Sequence, residues 1–173
     1  AARVLYEFAW DEFCSFYVEM VKSRLQDPLR RTTAQRVLAH TLDSLLRLLH
    51  PMIPFLTEEV WQLLGQIAPE RGVDRLQKAA ESVIIAPWPQ SDPARQDPQI
   101  EARFARFQEV LRAVREIRTR QSVPPKKRID FSGRCDAATA ALLEPMEPYF
   151  EAMAGARATA WGPSVEAQPL AAQ

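Results

Sequence analysis

The chain has 173 residues and a formal net charge of zero, with 47% apolar and 25% charged residues. That balance excludes wholesale disorder, and it excludes a global field that would draw in nucleic acid, so any such binding must come from local patches. No apolar run approaches the roughly 20 residues of a membrane helix and the N-terminus lacks a signal-peptide layout, so a cytoplasmic protein without a membrane partner is expected.

Five glycines argue against a turn-rich all-β fold. Helical periodicity dominates the first two thirds instead. In the first segment Leu5, Phe8, Trp10, Phe13, Cys14, Tyr17, Val18, Val21 and Leu25 recur at steps of three and four and stop before Asp27-Pro28. So wide an apolar face must be packed on more than one side. A second helix opening at Thr32 or Thr33 carries Ala34, Val37, Leu38, Thr41, Leu42, Leu45, Leu46 and Leu49. It must stop at His50, because Pro51 and Pro54 push the residues before them out of the helical region. Thr57 is then expected to cap a third helix, with Glu58 and Glu59 in its first turn and Val60, Trp61, Leu63, Leu64 and Ile67 along it.

From Glu70 to Gln96 the pattern weakens into a connection that includes Ala86-Pro87-Trp88-Pro89. Asp97-Pro98 restarts a helix, with a capping residue followed by proline at the first helical position. Ile100, Phe104, Phe107, Leu111 and Val114 form its seam until Val123-Pro124-Pro125. Beyond it, Arg128 to Phe131 alternates like a strand, Asp136 can cap a helix through Leu143, and Arg157 to Trp161 alternates again. The expected fold is mainly α: an antiparallel bundle of about four long helices over 1–121, and a small β-α-β appendage with a loose tail over 122–173.

Catalytic groups are nearly absent from the sequence. It holds no glycine-rich phosphate loop, GxSxG or HExxH pattern. His40 and His50, on different elements, suit capping or packing better than catalysis. Cys14 and Cys135 are far apart with no CxxC, so neither a disulfide nor a zinc site is suggested and both read as plain buried or half-buried thiols.

Positive charge, by contrast, is concentrated. Arg112, Arg115, Arg118, Arg120, Lys126, Lys127 and Arg128 face a single acid, Glu116, in their stretch. The first three recur at steps of three along the fourth helix, a stripe able to follow an RNA backbone. The plainer reading is a solvated face whose arginine stems cover apolar surface. A second group, Lys22, Arg24, Arg30, Arg31 and Arg36, surrounds the junction of the first two helices. Unpaired bases are commonly held on aromatic or guanidinium planes. Aromatics at helical spacing are more often core, and Phe16, off the main seam, is the best stacking candidate.

The run His50-Pro51-Met52-Ile53-Pro54-Phe55-Leu56-Thr57-Glu58-Glu59-Val60-Trp61 resembles the corner in the anticodon-binding domain of class I aminoacyl-tRNA synthetases of the valyl, isoleucyl and leucyl branch. Trp10-Asp11-Glu12-Phe13-Cys14 followed by Tyr17-Val18-Glu19 resembles the valyl enzymes in particular, as do Val114-Arg115-Glu116-Ile117-Arg118-Thr119-Arg120 and Ala86-Pro87-Trp88-Pro89. Ser15 and Phe16 depart from that pattern, in which Asp and Trp are common. The resemblance covers about residues 3 to 131.

It implies a tRNA anticodon-loop binding part of a valyl enzyme, with a valine-accepting tRNA as partner. Both basic groups, Lys22, Arg24, Arg30, Arg31 and Arg36 and then Arg112, Arg115, Arg118, Lys126, Lys127 and Arg128, would hold the RNA, with Phe16 stacking. Catalytic and editing domains of the same parent chain would charge the tRNA and hydrolyse mischarged product. The ATP-binding signatures of the family, resembling His-Ile-Gly-His and Lys-Met-Ser-Lys-Ser, are absent, so ATP belongs to the parent, and no cofactor or catalytic residue is expected here. The chain's limits fit a piece of such an enzyme, entered within the bundle and ending before its coiled coil. Alternatives are an isoleucyl or leucyl parent, or a scaffold whose arginines dock an acidic protein.

Overall fold

A computed structural model describes residues 1–166, and they are mainly helical. Two compact units follow one another, Ala1–Ser91 and Asp92–Gln173. The division falls at 91/92, where the sequence suggested 121/122, so the fourth long helix counts with the second unit.

The first unit opens with α1 (Ala2–Glu7), which runs without a break through a wider π-type stretch, Phe8–Tyr17, into α2 (Val18–Gln26). In the wider stretch the Val18 N–H reaches back five residues to the Phe13 carbonyl. The expected apolar face is rearranged there. Phe13, Phe16 and Val21 are buried, while Tyr6, Phe8 and Trp10 stand in solvent and Cys14 is exposed. Helix α3 (Pro28–Leu49) begins four residues before the expected Thr32, because Asp27 accepts the Leu29 N–H at 3.0 Å and Pro28 fills the first helical position.

The corner after α3 differs from expectation in its chemistry. Helix α4 (Pro54–Ile67) starts at Pro54, so Thr57 is not its cap and Glu58 is not in its first turn. Thr57 is instead buried, and its hydroxyl lies 3.0 Å from both the Ile53 and Pro54 carbonyls and 2.8 Å from His50 Nδ1. Since the hydroxyl proton serves the carbonyls, the His50 ring carries the proton of the shared contact. Thr57 thus ties His50, the residue that caps the end of α3, to the first turn of the next helix, in keeping with a structural role for His50.

Leu46, Trp61, Leu64 and Val83 form a core between α3, α4 and the connection that follows. That connection is more ordered than its sequence suggests. Strands β1 (Glu70–Arg71) and β2 (Gln77–Lys78) make a short antiparallel hairpin. Gly72, at φ 133°, makes its turn; a Cβ there would lie 2.1 Å from the Arg75 carbonyl oxygen. Further along, the Ala80 carbonyl accepts from the Trp61 indole at 3.0 Å, and Glu58 accepts from the Ser82 hydroxyl at 2.7 Å and the Val83 N–H at 3.1 Å. The segment is therefore strapped along α4 by hydrogen bonds rather than by apolar periodicity.

The second unit begins with α5 (Pro98–Arg120), capped as expected by Asp97, which accepts from Gln99 and Ile100. Strand β3 (Ile129–Arg134) pairs in parallel with β4 (Ala156–Gly162), and between them lie α6 (Ala137–Leu143) and α7 (Glu147–Ala154). This is the β-α-β arrangement read from the sequence, with two short helices in the crossover. Phe107 and Phe150, both fully buried, meet edge to face at 4.9 Å, and Phe131 and Trp161 extend the aromatic cluster. Cys135 is half-buried. The expected loose tail is described only to Glu166; its remainder lies outside the described residues.

Candidate nucleic-acid interface

In the first unit the basic side chains gather where α2 turns into α3. The Asp27-Pro28 cap makes this a sharp junction, which crowds cations from the end of one helix and the start of the next. Lys22 pairs with Glu19 at 2.6 Å and Arg30 with Asp27 at 3.4 Å, both at exposed positions. Arg31 donates to the Leu25 carbonyl at 2.8 Å, closing the junction from outside. Arg24 is half-buried. Exposed ion pairs of this kind are worth about 0–1 kcal/mol, so a phosphate can displace the carboxylate at little cost.

Arg36 is exposed and lines a shallow depression with Gln35 and Ala39 from α3, Ile67, Ala68 and Pro69 at the end of α4, and Glu70, Leu76 and Lys78 from the hairpin. Gln35, Glu70 and Lys78 were not singled out from the sequence. The signal available was faint: Gly72-Val73-Asp74-Arg75-Leu76, a glycine and two charges in an otherwise aperiodic stretch.

Phe16, expected to stack on a base, is instead 5% exposed, so neither ring face is open to RNA. The widened helical stretch turns it inward, a rotation that counting in steps of 3.6 residues cannot show.

The arginine stripe of α5 also divides. Arg112 is exposed. Arg115 is exposed but donates to the Met153 carbonyl at 3.0 Å. Arg118 is withdrawn altogether: 8% exposed, it donates to the carbonyls of Lys127, Pro124, Pro125 and Gly155 at 2.9 to 3.3 Å. Its charge is spent on backbone dipoles, and the expectation that it contacts phosphate is corrected on that ground. Lys126 and Lys127 are exposed on the turn that Arg118 holds, and Arg128 pairs with Glu151. So of the basic residues expected to hold RNA in this unit, Arg112, Lys126 and Lys127 stand open to an anion, while Arg118 shapes the turn that presents two of them.

Among the described residues no group of three or more His, Cys, Asp or Glu is placed to hold a metal ion, and no helix is long and apolar enough to cross a membrane. What each unit offers is exposed guanidinium and ammonium groups on helices and turns, the chemistry of phosphate contact.

The family model "Anticodon-binding domain of tRNA ligase" matches residues 1–132, and the chain belongs to that family. Among curated relatives it is similar to the valine–tRNA ligase of Rhodopirellula baltica, 52% identical over 167 residues, 96% of this chain and 16% of the relative. It is also similar to those of Carboxydothermus hydrogenoformans, 40% identical over 74% of this chain and 13% of the relative, and Syntrophotalea carbinolica, 38% identical over 99% and 18%. The chain thus spans less than a fifth of the length of these relatives.

Proposed function

We infer that the chain is the part of a valine–tRNA ligase that binds the anticodon arm of a valine-accepting tRNA. The observation that carries this reading is the family match over residues 1–132 covering exposed cations, Arg36 on α3 in the first unit and Arg112 on α5 and Lys126 and Lys127 on the turn after it in the second. Relatives named for valine, at up to 52% identity, favour a valyl over an isoleucyl or leucyl parent. The chain's task is binding without chemistry: phosphate contacts fix the anticodon arm, and neighbouring side chains read unpaired bases. Catalytic and editing domains of a parent ligase carry out ATP-dependent charging and the hydrolysis of mischarged product.

Titration of the chain with a hairpin bearing a valine anticodon loop, against the same stem with a scrambled loop, tests this with amide shifts as readout. Tighter, salt-sensitive binding of the valine loop is expected. Identical, salt-insensitive shifts for both hairpins would sink the reading.

A further inference from the structure

The second unit carries a strand edge whose hydrogen-bonding groups are turned outward. Among the described residues β3 pairs on one side only, with β4. The Ile129 N–H donates to the Gly155 carbonyl at 3.0 Å and the Cys135 N–H to the Gly162 carbonyl at 3.2 Å, so the odd-numbered residues of β3 spend their backbone groups on the β4 side. The backbone groups of Asp130, Ser132 and Arg134 therefore point the other way, where no described strand meets them, and their side chains are exposed. Strand edges are commonly blunted by proline, lysine or a bulge. β3 has none of these, because the register shift beside Phe131 and Ser132 places the extra residue, Thr159, in β4.

The charges that β3 does carry are arranged symmetrically, with Asp130 and Arg134 on either side of Ser132. If two copies of the strand lie antiparallel about Ser132, Asp130 of each faces Arg134 of the other, and opposite charges directly across a strand pair are stabilising. Asp130 already holds Arg157 at 3.2 Å on the same outer face, so its carboxylate would lie between two guanidinium groups. Arg134 has no ion pair among the described residues. Other registers conflict with this pattern. A slip of one residue sets the polar face of one copy beside the helix-covered face of the other. The nearest slips that keep the faces place Asp130 against Asp136 in one direction and Arg134 against Arg128 in the other.

We propose that β3 pairs antiparallel with β3 of a second copy of this chain about a twofold axis at Ser132, joining the two parallel pairs into one sheet of order β4-β3-β3-β4. This goes beyond the RNA-binding reading and does not depend on it. The N–H and carbonyl groups of Asp130, Ser132 and Arg134 exchange hydrogen bonds with their counterparts, so the backbone groups that the contact covers are all paired. A twofold axis perpendicular to the sheet keeps the helices of both copies on one face and the Asp130–Arg134 pairs on the other. On the helix-covered face Phe131 lies across from Gly133, where no side chain competes for the space. A strand of six residues buries less than the roughly 1,200–2,000 Å² of a stable complex, so the dimer is weak and forms as concentration rises.

Sedimentation equilibrium of the full chain over a wide concentration range, with amide hydrogen exchange on the same samples, tests this. A monomer–dimer equilibrium is expected, in which protection of the Asp130, Ser132 and Arg134 amides rises with concentration while that of Ile129, already bonded to Gly155, stays constant. Arg134→Asp and Asp130→Arg each set like charges across both symmetric contacts, and each should weaken self-association by about tenfold. Mixing the two variants sets opposite charges across both contacts again and should restore the dimer as a heterodimer. Ser132→Pro removes an N–H that faces away from β4, so it should leave the β3–β4 ladder in place and abolish the dimer. A chain that stays monomeric at every concentration would overturn the proposal. So would a dimer that the two charge variants leave unchanged, as one formed through the exposed Tyr6, Phe8 and Trp10 would be.

Discussion

The guanidinium carbon of Arg71 sits 4.0 Å from the centroid of the Trp61 ring, and both side chains are almost fully buried. Asp43, at 1% exposure, accepts from Arg71 at 2.9 Å and lies 2.5 Å from Arg47 Nη2 on its own helix. A buried charge group of this kind holds the hairpin to α3 and α4 by geometry as much as by energy. Arg71→Ala should destabilise the first unit by about 3 kcal/mol, since Asp43 keeps only one of its two cations. Combining it with Asp43→Asn should cost less than the sum of the two, measured by urea unfolding in a double-mutant cycle.

Arg118 provides the second prediction. Arg118→Ala removes the guanidinium from four carbonyls at the turn after α5, of which Pro124 and Gly155 keep the N–H groups of Lys127 and Ile129, and should cost the second unit roughly 2–4 kcal/mol, with Arg118→Lys recovering only part of it. Arg112→Ala should leave the melting temperature unchanged and lower the salt slope of RNA binding by about 0.7–0.9 if one phosphate contact is lost. Parallel melting and salt titrations of the two variants separate a structural arginine from a binding one.

Glu58 gives a pH prediction. The Gln62 side-chain amide, followed by the Ser82 hydroxyl and the Val83 N–H, holds its carboxyl below the ordinary value of 4.5 against the opposing push of burial. A depressed folded-state pKa means stability that is fully present above the unfolded value and is lost as pH falls through the folded one. Acid titration of stability should therefore weaken the strap between α4 and Ser82-Val83 below about pH 4.5. Glu58→Gln should flatten that part of the profile.

Gly133 lies in β3 opposite Trp161 of β4, and a Cβ on it would meet Trp161 Cε3 and Cζ3 at 2.3 Å. Gly133→Ala must displace a ring packed on Phe131 and Phe150, and should cost about 1–3 kcal/mol. Tryptophan fluorescence during denaturation, with Trp10, Trp61 and Trp88 replaced by Phe in both proteins, reports it through Trp161.

The parts of this fold that were legible in the sequence are those written in caps, breaks and alternation. Asp97-Pro98, the break at His50-Pro51 and the strands around Ile129 and Arg157 all stand where local chemistry puts them. Thr57 misled because its hydroxyl suits a cap, yet Pro54 starts the helix earlier and leaves Thr57 to bridge toward His50. Phe16 was misplaced because the π-type stretch changes the angular step between residues. Arg118 has the same spacing as Arg112 and Arg115; only the carbonyls gathered from Pro124, Pro125, Lys127 and Gly155 distinguish it, and Gly155 is distant in sequence. The depression beside Arg36 joins three segments that share no periodicity, so its cations looked like ordinary surface charge.

The most direct test of RNA binding through exposed cations is the affinity of the chain for a valine tRNA measured across a range of salt concentrations, repeated with the Arg36→Ala variant and with a tRNA altered only in its anticodon loop. The predicted result is a linear fall of log K with log salt, a slope shallower by about 0.7–0.9 for Arg36→Ala, and weaker binding of the altered tRNA at every salt concentration. A salt-independent affinity that is the same for both tRNAs and for the variant would contradict it.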